Sequence, residues 1–347
     1  MRKYFKIQSL SLFLSLFAFA CNDITPPQDR RGAQWVFYNT SNSPLVGDTI
    51  NALCMTSSGE LIIATTNGAN KLKQSQWLVF RDMINYDTPL GPSRNVLSVT
   101  SGKDKSIWFG LAGGGVKRFN PTAQNGEHWT TYNAPTINTN FVYSLTADPS
   151  GSVWIGTSSG VTRFILSLSD PTRETWLKYT SGNSPLPDEQ IRSAGISPTD
   201  NVIWFGTQSH GVVSFDGDLV WGIDQPNDAP FPIVAMSFGN LGDIWFATFA
   251  DWAYRYVLKT YEWSHYADTT GFKDNFVNAV AAAPNGAVWF GTNKGLVRLQ
   301  NNQYATFTRA NSQVPSDTIK ALAIDIDEDL WIGTTNGIAE FNEAGTK

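Results

Sequence analysis

The sequence predicts an all-β fold, a seven-bladed β-propeller of four-stranded blades, and three observations carry that prediction. An apolar-Trp-aromatic/Ile-Gly-Thr phrase, followed by a short Gly turn and a second apolar strand, recurs seven times between Leu61 and Phe341. With Ile62 standing for the Trp that the first copy lacks, the phrase falls at 62, 108, 154, 204, 245, 289 and 331, at spacings of 41 to 50 residues. A period of about 40–50 residues made of short strands corresponds to one four-stranded blade per repeat. The third observation concerns the ends of the chain, which begin and stop on different strand types.

Each strand of the blade has its own pattern, A to D from the axis outward. Strand A reads INALCM from Ile50, VLSVTS from Val96, VYSLTA from Val142, IRSAGI from Ile191, IVAMSF from Ile233, VNAVAA from Val277 and IKALAI from Ile319. Its third column is always Ala or Ser. Alternate residues share a face, so small side chains line one whole face, as convergence on an axis requires. Strand B, the Trp phrase, is continuously apolar and therefore buried on both faces. Strand C follows the Gly turn, and strand D starts with an aromatic at Trp35, Trp77, Trp129, Trp176, Trp221, Trp263 and Tyr304. Turns between A and B, such as Asp148-Pro149-Ser150-Gly151, are polar and Gly-rich. The first strand is of type D and the last of type C. Residues 34 to 38 should therefore pair with Ile338 to Phe341 and complete the seventh blade, leaving no open edge.

Residues 1–20 hold Arg2, Lys3 and Lys6 and then an apolar stretch to Ala20 that is too short to span a bilayer, the pattern of an export signal. Ala18-Phe19-Ala20-Cys21 resembles a bacterial lipoprotein cleavage box, which implies lipidation at Cys21 and membrane attachment by that anchor only; ordinary signal cleavage is the alternative. Residues 21–34, with Pro26-Pro27, read as a flexible tether, 35–341 as the propeller and 342–347 as a tail. Once the signal is removed, 22 basic side chains face 30 acidic ones, a sign that disfavours nucleic acid as a partner. Cys54 is then the one thiol left, so no internal disulfide is expected. The expected location is the bacterial cell envelope, at the periplasmic face or the cell surface, and the expected state is a monomer.

Taken together, the Trp-Ile/Phe-Gly-Thr-x-x-Gly phrase, the Ile/Val-x-x-Leu strand and the Asp/Asn-x-x-Gly turn make the chain resemble the two-component regulator propeller repeats, over about 35 to 341. That resemblance implies an extracytoplasmic sensing propeller of the kind found in bacterial hybrid histidine kinases, often responding to glycans, and also found free-standing and exported. With no kinase or receiver region in the sequence, phosphotransfer is not expected. The fold also resembles that of a streptogramin lyase, whose His/Glu catalytic set finds no match here.

The search for chemistry is largely negative. His128, His210 and His265 show no metal-ligand spacing, and no Gly-x-Ser-x-Gly elbow or P-loop occurs. The acidic turn with Asp325, Asp327 and Asp329 could bind Ca²⁺ loosely, but a solvated turn is the favoured reading, since no EF-hand-like or repeated spacing supports a cage. No catalytic residue, metal or cofactor is assigned, and a non-enzymatic binding propeller is expected, with a lyase or hydrolase acting at the channel mouth as the alternative. Columns that vary between blades are free to serve a ligand. Strand A's second column reads Asn51, Leu97, Tyr143, Arg192, Val234, Asn278 and Lys320, which places Tyr143, Arg192, Lys320, Asn51 and Asn278 at the mouth. They could equally be plugging the channel. The blade-five turn puts Trp252 where other blades have Gly. Trp252, Phe249, Asp251 and the neighbouring blade's His210 form a candidate rim for a sugar or peptide, unless the Trp simply packs locally. Glycan or protein is the expected partner.

Overall fold

The computed structural model describes residues 34–80, 93–123, 128–166, 173–216, 220–222, 232–267, 272 and 274–343. The signal segment, Cys21, the tether as far as residue 33 and the tail from residue 344 lie outside the described residues. Within them, 28 strands form seven antiparallel sheets of four, with no helix. Blade one shows the pattern: Ile50–Met55, Leu61–Thr65, Gly68–Lys73 and Gln76–Phe80, in sequence order from the inside outward.

Ring closure is as expected. Gln34–Tyr38 is the outer strand of the blade formed by Ile319–Ile324, Leu330–Thr334 and Gly337–Asn342. Its register sets Trp35 opposite Phe341 and Tyr38 opposite Ile338. The outer strand of blade two begins at Trp129, with His128 just before it.

The repeated phrase has a reason at each letter. All seven B strands are buried along their length. The Gly of the phrase lets two inner strands approach. A Cβ on Gly291 would lie 2.6 Å from Ile319 of the next blade, and one on Gly333 would lie 2.6 Å from Ile50 across the closure. The buried Thr ends the strand: Thr292 donates to Gly295 O at 2.8 Å and accepts Lys294 N–H at 3.0 Å, and Thr65, Thr157, Thr207, Thr248 and Thr334 likewise donate to their own turns. The turn Gly needs positive φ, +101° at Gly160 and +124° at Gly295.

Seven hydrophobic clusters fill the seven boundaries between blades. Trp154, for example, packs with Ile191, Phe205 and Phe215 of blade four, and Trp331 with Ile50 and Ile63 of blade one. Burying each such side chain contributes about 1.5–3 kcal/mol. Backbone staples tie the same boundaries at the rim. The turn N–H of Gly115, Gly160, Trp252, Gly295 and Gly337 each donates to a carbonyl of the loop leading into the next blade. Gly337 N–H to Asp48 O, at 2.7 Å, is the staple across the closure.

Candidate functional site

The loop-bearing face, with the D-to-A and B-to-C connections, is built around a feature the sequence did not reveal. In every blade the pairing of strands A and B shifts register between the first and third residues of strand A. The second column is thus a ring of β-bulges, which free a side chain from the ladder and re-aim it. All seven of its residues are half-buried.

Their environments differ. The Arg192 guanidinium lies 4.4 Å from the centroid of the Tyr143 ring of the preceding blade, and its Nε donates to Gln208 Oε1 at 2.5 Å. The Asn51 amide donates to Asn95 Oδ1 and Val96 O, both at 2.8 Å. The Asn278 amide donates to Asn293 Oδ1 and Ile319 O, both at 2.9 Å. These two asparagines tie neighbouring inner strands together, which occupies their donors. Lys320 makes no hydrogen bond or ion pair among the described residues, so its ammonium is open to a ligand.

The rim candidates form two clusters, with no polar or ring contact between them among the described residues. In blade five, Asp251 accepts the Tyr254 hydroxyl and lies 3.5 Å from His265 Nε2. The Tyr254 and His265 rings stack at 4.4 Å. Burial and the Asp251 carboxylate together push the Tyr254 phenol above its ordinary range. Trp252 has φ of 54°, stands edge-on to His265 at 6.1 Å and joins the core between blades five and six. Phe249 is 50% exposed and meets Phe276 edge-on at 4.7 Å.

In blade four His210 is largely exposed, with Nδ1 3.7 Å from Asp188 Oδ2. Ser209 Oγ lies 2.8 Å from that carboxylate and 3.1 Å from the imidazole. Burial pushes the Asp188 carboxyl up, but the N–H groups of Gln190 and Ser209, the Ser209 hydroxyl and His210 outweigh it and hold it below the usual range. Sequence reading missed Asp188, because it arrives from a separate loop. It also missed Phe141 and Phe276, which directly precede strand A and bridge to the B-to-C loops of the preceding blades. The column before strand A, otherwise polar or Pro, held that signal.

The opposite face carries a second repeated device. Strand C places a side chain directly across from each phrase Trp: Arg118, Arg163, Ser214, Arg255, Arg298 and Glu340, with Lys71 across from Ile62. The four arginines lie over their Trp rings at 4.7 to 5.8 Å. In blades two, three, five and seven the indole N–H of Trp108, Trp154, Trp245 and Trp331 donates to Ser106, Asp148, Asp243 and Asp325, respectively, at 2.8 to 3.1 Å. In blade seven Glu340 replaces the arginine and stands with Asp325 and Asp329, their donor atoms within 4.8 Å of one another. Asp327, grouped with that cluster on sequence grounds, instead gives its N–H to Asp325.

The family model described as two component regulator propeller matches residues 136–159 and 271–294, in each case strand A, its turn and the Trp phrase. Two stretches of the chain thus resemble two-component regulator propeller repeats. The chain is similar in fold to the extracellular domain of a putative hybrid two component system from B. thetaiotaomicron, at 19% identity and a TM-score of 0.73 over 89% of this chain. It spans 41% of the length of that domain. It is likewise similar to a streptogramin B lyase, at 17% identity and a TM-score of 0.70, covering 91% of this chain and 99% of the lyase. Virginiamycin B lyase from Staphylococcus aureus matches at 18% identity and a TM-score of 0.68, over 89% and 99% of the two chains. No curated protein sequence matches the chain.

Proposed function

We propose that this propeller is an exported, non-enzymatic binding protein, lipid-anchored through Cys21, that takes a glycan or a protein partner at its loop-bearing face. The observation that carries the reading is the bulge ring: seven equivalent positions, freed from pairing, that bear different chemistry in every blade. Tyr143 with Arg192 offers a cation-stacked aromatic, Lys320 an open ammonium, and Phe141 and Phe249 exposed apolar surface nearby. The likeness to extracellular parts of two-component sensors supports recognition outside the cytoplasm.

The test is a glycan array and a pull-down from native membranes, followed by calorimetry on variants. Tyr143→Ala, Arg192→Ala and Lys320→Ala should each weaken binding by about 1–3 kcal/mol with the melting temperature unchanged. Trp154→Ala should mainly destabilise, by about 3–5 kcal/mol. Normal binding by all three mouth variants would refute the reading.

The alternative, a lyase or hydrolase, draws support from one observation, the Asp188–Ser209–His210 cluster beside the Gln208–Arg192 pair. Here Ser209 Oγ bridges the Asp188 carboxylate and the imidazole, and an imidazole can act as a general acid or base. If this reading holds, His210→Ala abolishes turnover while ligand binding persists.

A further inference from the structure

The face opposite the mouth holds a cavity of about 360 Å³ between blades five and six, lined by Trp245, Arg255, Tyr266 and Val288 among others. Arg255 differs from Arg118 and Arg298 in how its charge is met, whereas Arg163, like Arg255, meets only its own turn among the described residues, at Ser152 and Asp148. Arg118 gives one terminal nitrogen to Asp104 at 2.6 Å and the other to Glu174, on the outer strand of the next blade, at 3.4 Å. Arg298 is met by one carboxylate of the next blade, Glu343, just beyond the strand Gly337–Asn342. Arg255 gives only its Nε, to Asp243 at 2.7 Å, and its two terminal nitrogens have no partner among the described residues.

The register shows what is missing. Glu174 stands two residues before Trp176, which pairs with Phe164; the corresponding pair in blade six is Tyr304 with Leu299, so Asn302 occupies the place of Glu174. Asn302 lines the cavity. A neutral amide thus stands where the fold elsewhere supplies a second carboxylate to the guanidinium. Arg118, carrying both Asp104 and Glu174, shows that the geometry accepts two carboxylates around one such group.

We propose that this cavity is a second binding site, on the face away from the mouth, for a hexuronic acid whose carboxylate takes the open edge of Arg255. A guanidinium edge receives a carboxylate through two parallel hydrogen bonds. The volume lies within the range of small-ligand pockets. Asp243 is the one acidic residue in the lining, and it is already held by Arg255 and the Trp245 indole. An amino acid's ammonium would therefore find no counter-ion. The amides of Asn285 and Asn302 suit hydroxyl groups, and the Tyr266 ring gives a sugar an apolar wall.

Titration calorimetry of the full chain with glucuronate and galacturonate, against glucose as the neutral control, tests this. At millimolar concentration a uronate should bind and glucose should not. Asn302→Glu, which restores the counter-charge used in blade three, should weaken uronate binding at least about tenfold while keeping or raising the melting temperature. Arg255→Gln should lose binding too, and Asn302→Glu decides the matter if that variant fails to fold. Tyr143→Ala, at the mouth, should leave uronate binding unchanged, which separates this site from the one proposed above. Absence of uronate binding, equal binding of glucose, or full binding by Asn302→Glu would overturn the proposal.

Discussion

At the scale of the residue, Asp148 organises a whole turn. It accepts the Ser152 N–H at 2.9 Å, the Trp154 indole at 3.0 Å and the Ser150 hydroxyl, with Arg163 at 3.7 Å. Burial pushes its carboxyl up, but these hydrogen bonds and the guanidinium outweigh that and hold it below the usual range. Asp104 is lowered in the same manner, burial being outweighed by Ser106 and Arg118. A carboxyl lowered in the folded state contributes stability that is present above its unfolded value, about 3.9, and lost as pH falls through the folded one. Asp148→Asn should therefore destabilise at pH 7, and the gap to the parent should close below about pH 4; denaturant melts across pH measure it. Thr292 is a second case. Thr292→Val removes a buried donor and acceptor and should cost about 1–3 kcal/mol in a urea melt.

At the scale of the element, the outer strand Gln34–Tyr38 decides whether the ring is closed. Trp35 packs at a tilt on Phe341 with ring centroids 4.4 Å apart, and Tyr38 meets Trp77 of blade one edge-on at 5.4 Å. Deleting the chain through Tyr38 would expose the backbone of Gly337–Asn342 and remove both contacts. That truncation should lower the melting temperature or cause aggregation, whereas removing only residues 22–31 should be silent. Equal thermal melts for the two would contradict the role given to this strand. The blade-five turn is the other irregular element. Trp252 holds the left-handed backbone that Gly holds elsewhere, and its N–H still makes the staple to Asn275 O at 3.0 Å, so the inter-blade tie survives the loss of Gly.

At the scale of the molecule, strand direction separates the two faces. Outer strands run toward the loop-bearing face, so Gln34 starts on the opposite one, the face that also holds the Arg255 cavity. If Cys21 is lipidated as proposed, the anchored segment joins the propeller on the face opposite the bulge ring. Cys21→Ala should abolish incorporation of radiolabelled fatty acid and release the protein from the membrane fraction. Unchanged labelling would refute the anchor.

The seven phrases, the small column of strand A and the offset of strand types at the chain ends determined the fold and its closure. Each of these is a local pattern repeated at a fixed period, and repetition makes a pattern legible in one sequence. The sequence also marked the second column of strand A, because Tyr143, Arg192 and Lys320 break a repeat. Only the tertiary structure decided that this column is a ring of bulges, that Asn51 and Asn278 are bound to neighbouring strands while Lys320 stays open, and that Asp188 meets His210. It alone set Arg255 against Asn302. The reason is physical: each of these relations depends on side-chain direction or on contact between blades some 40 residues apart, and a repeat's spacing specifies which strands are neighbours but not which atoms their side chains reach.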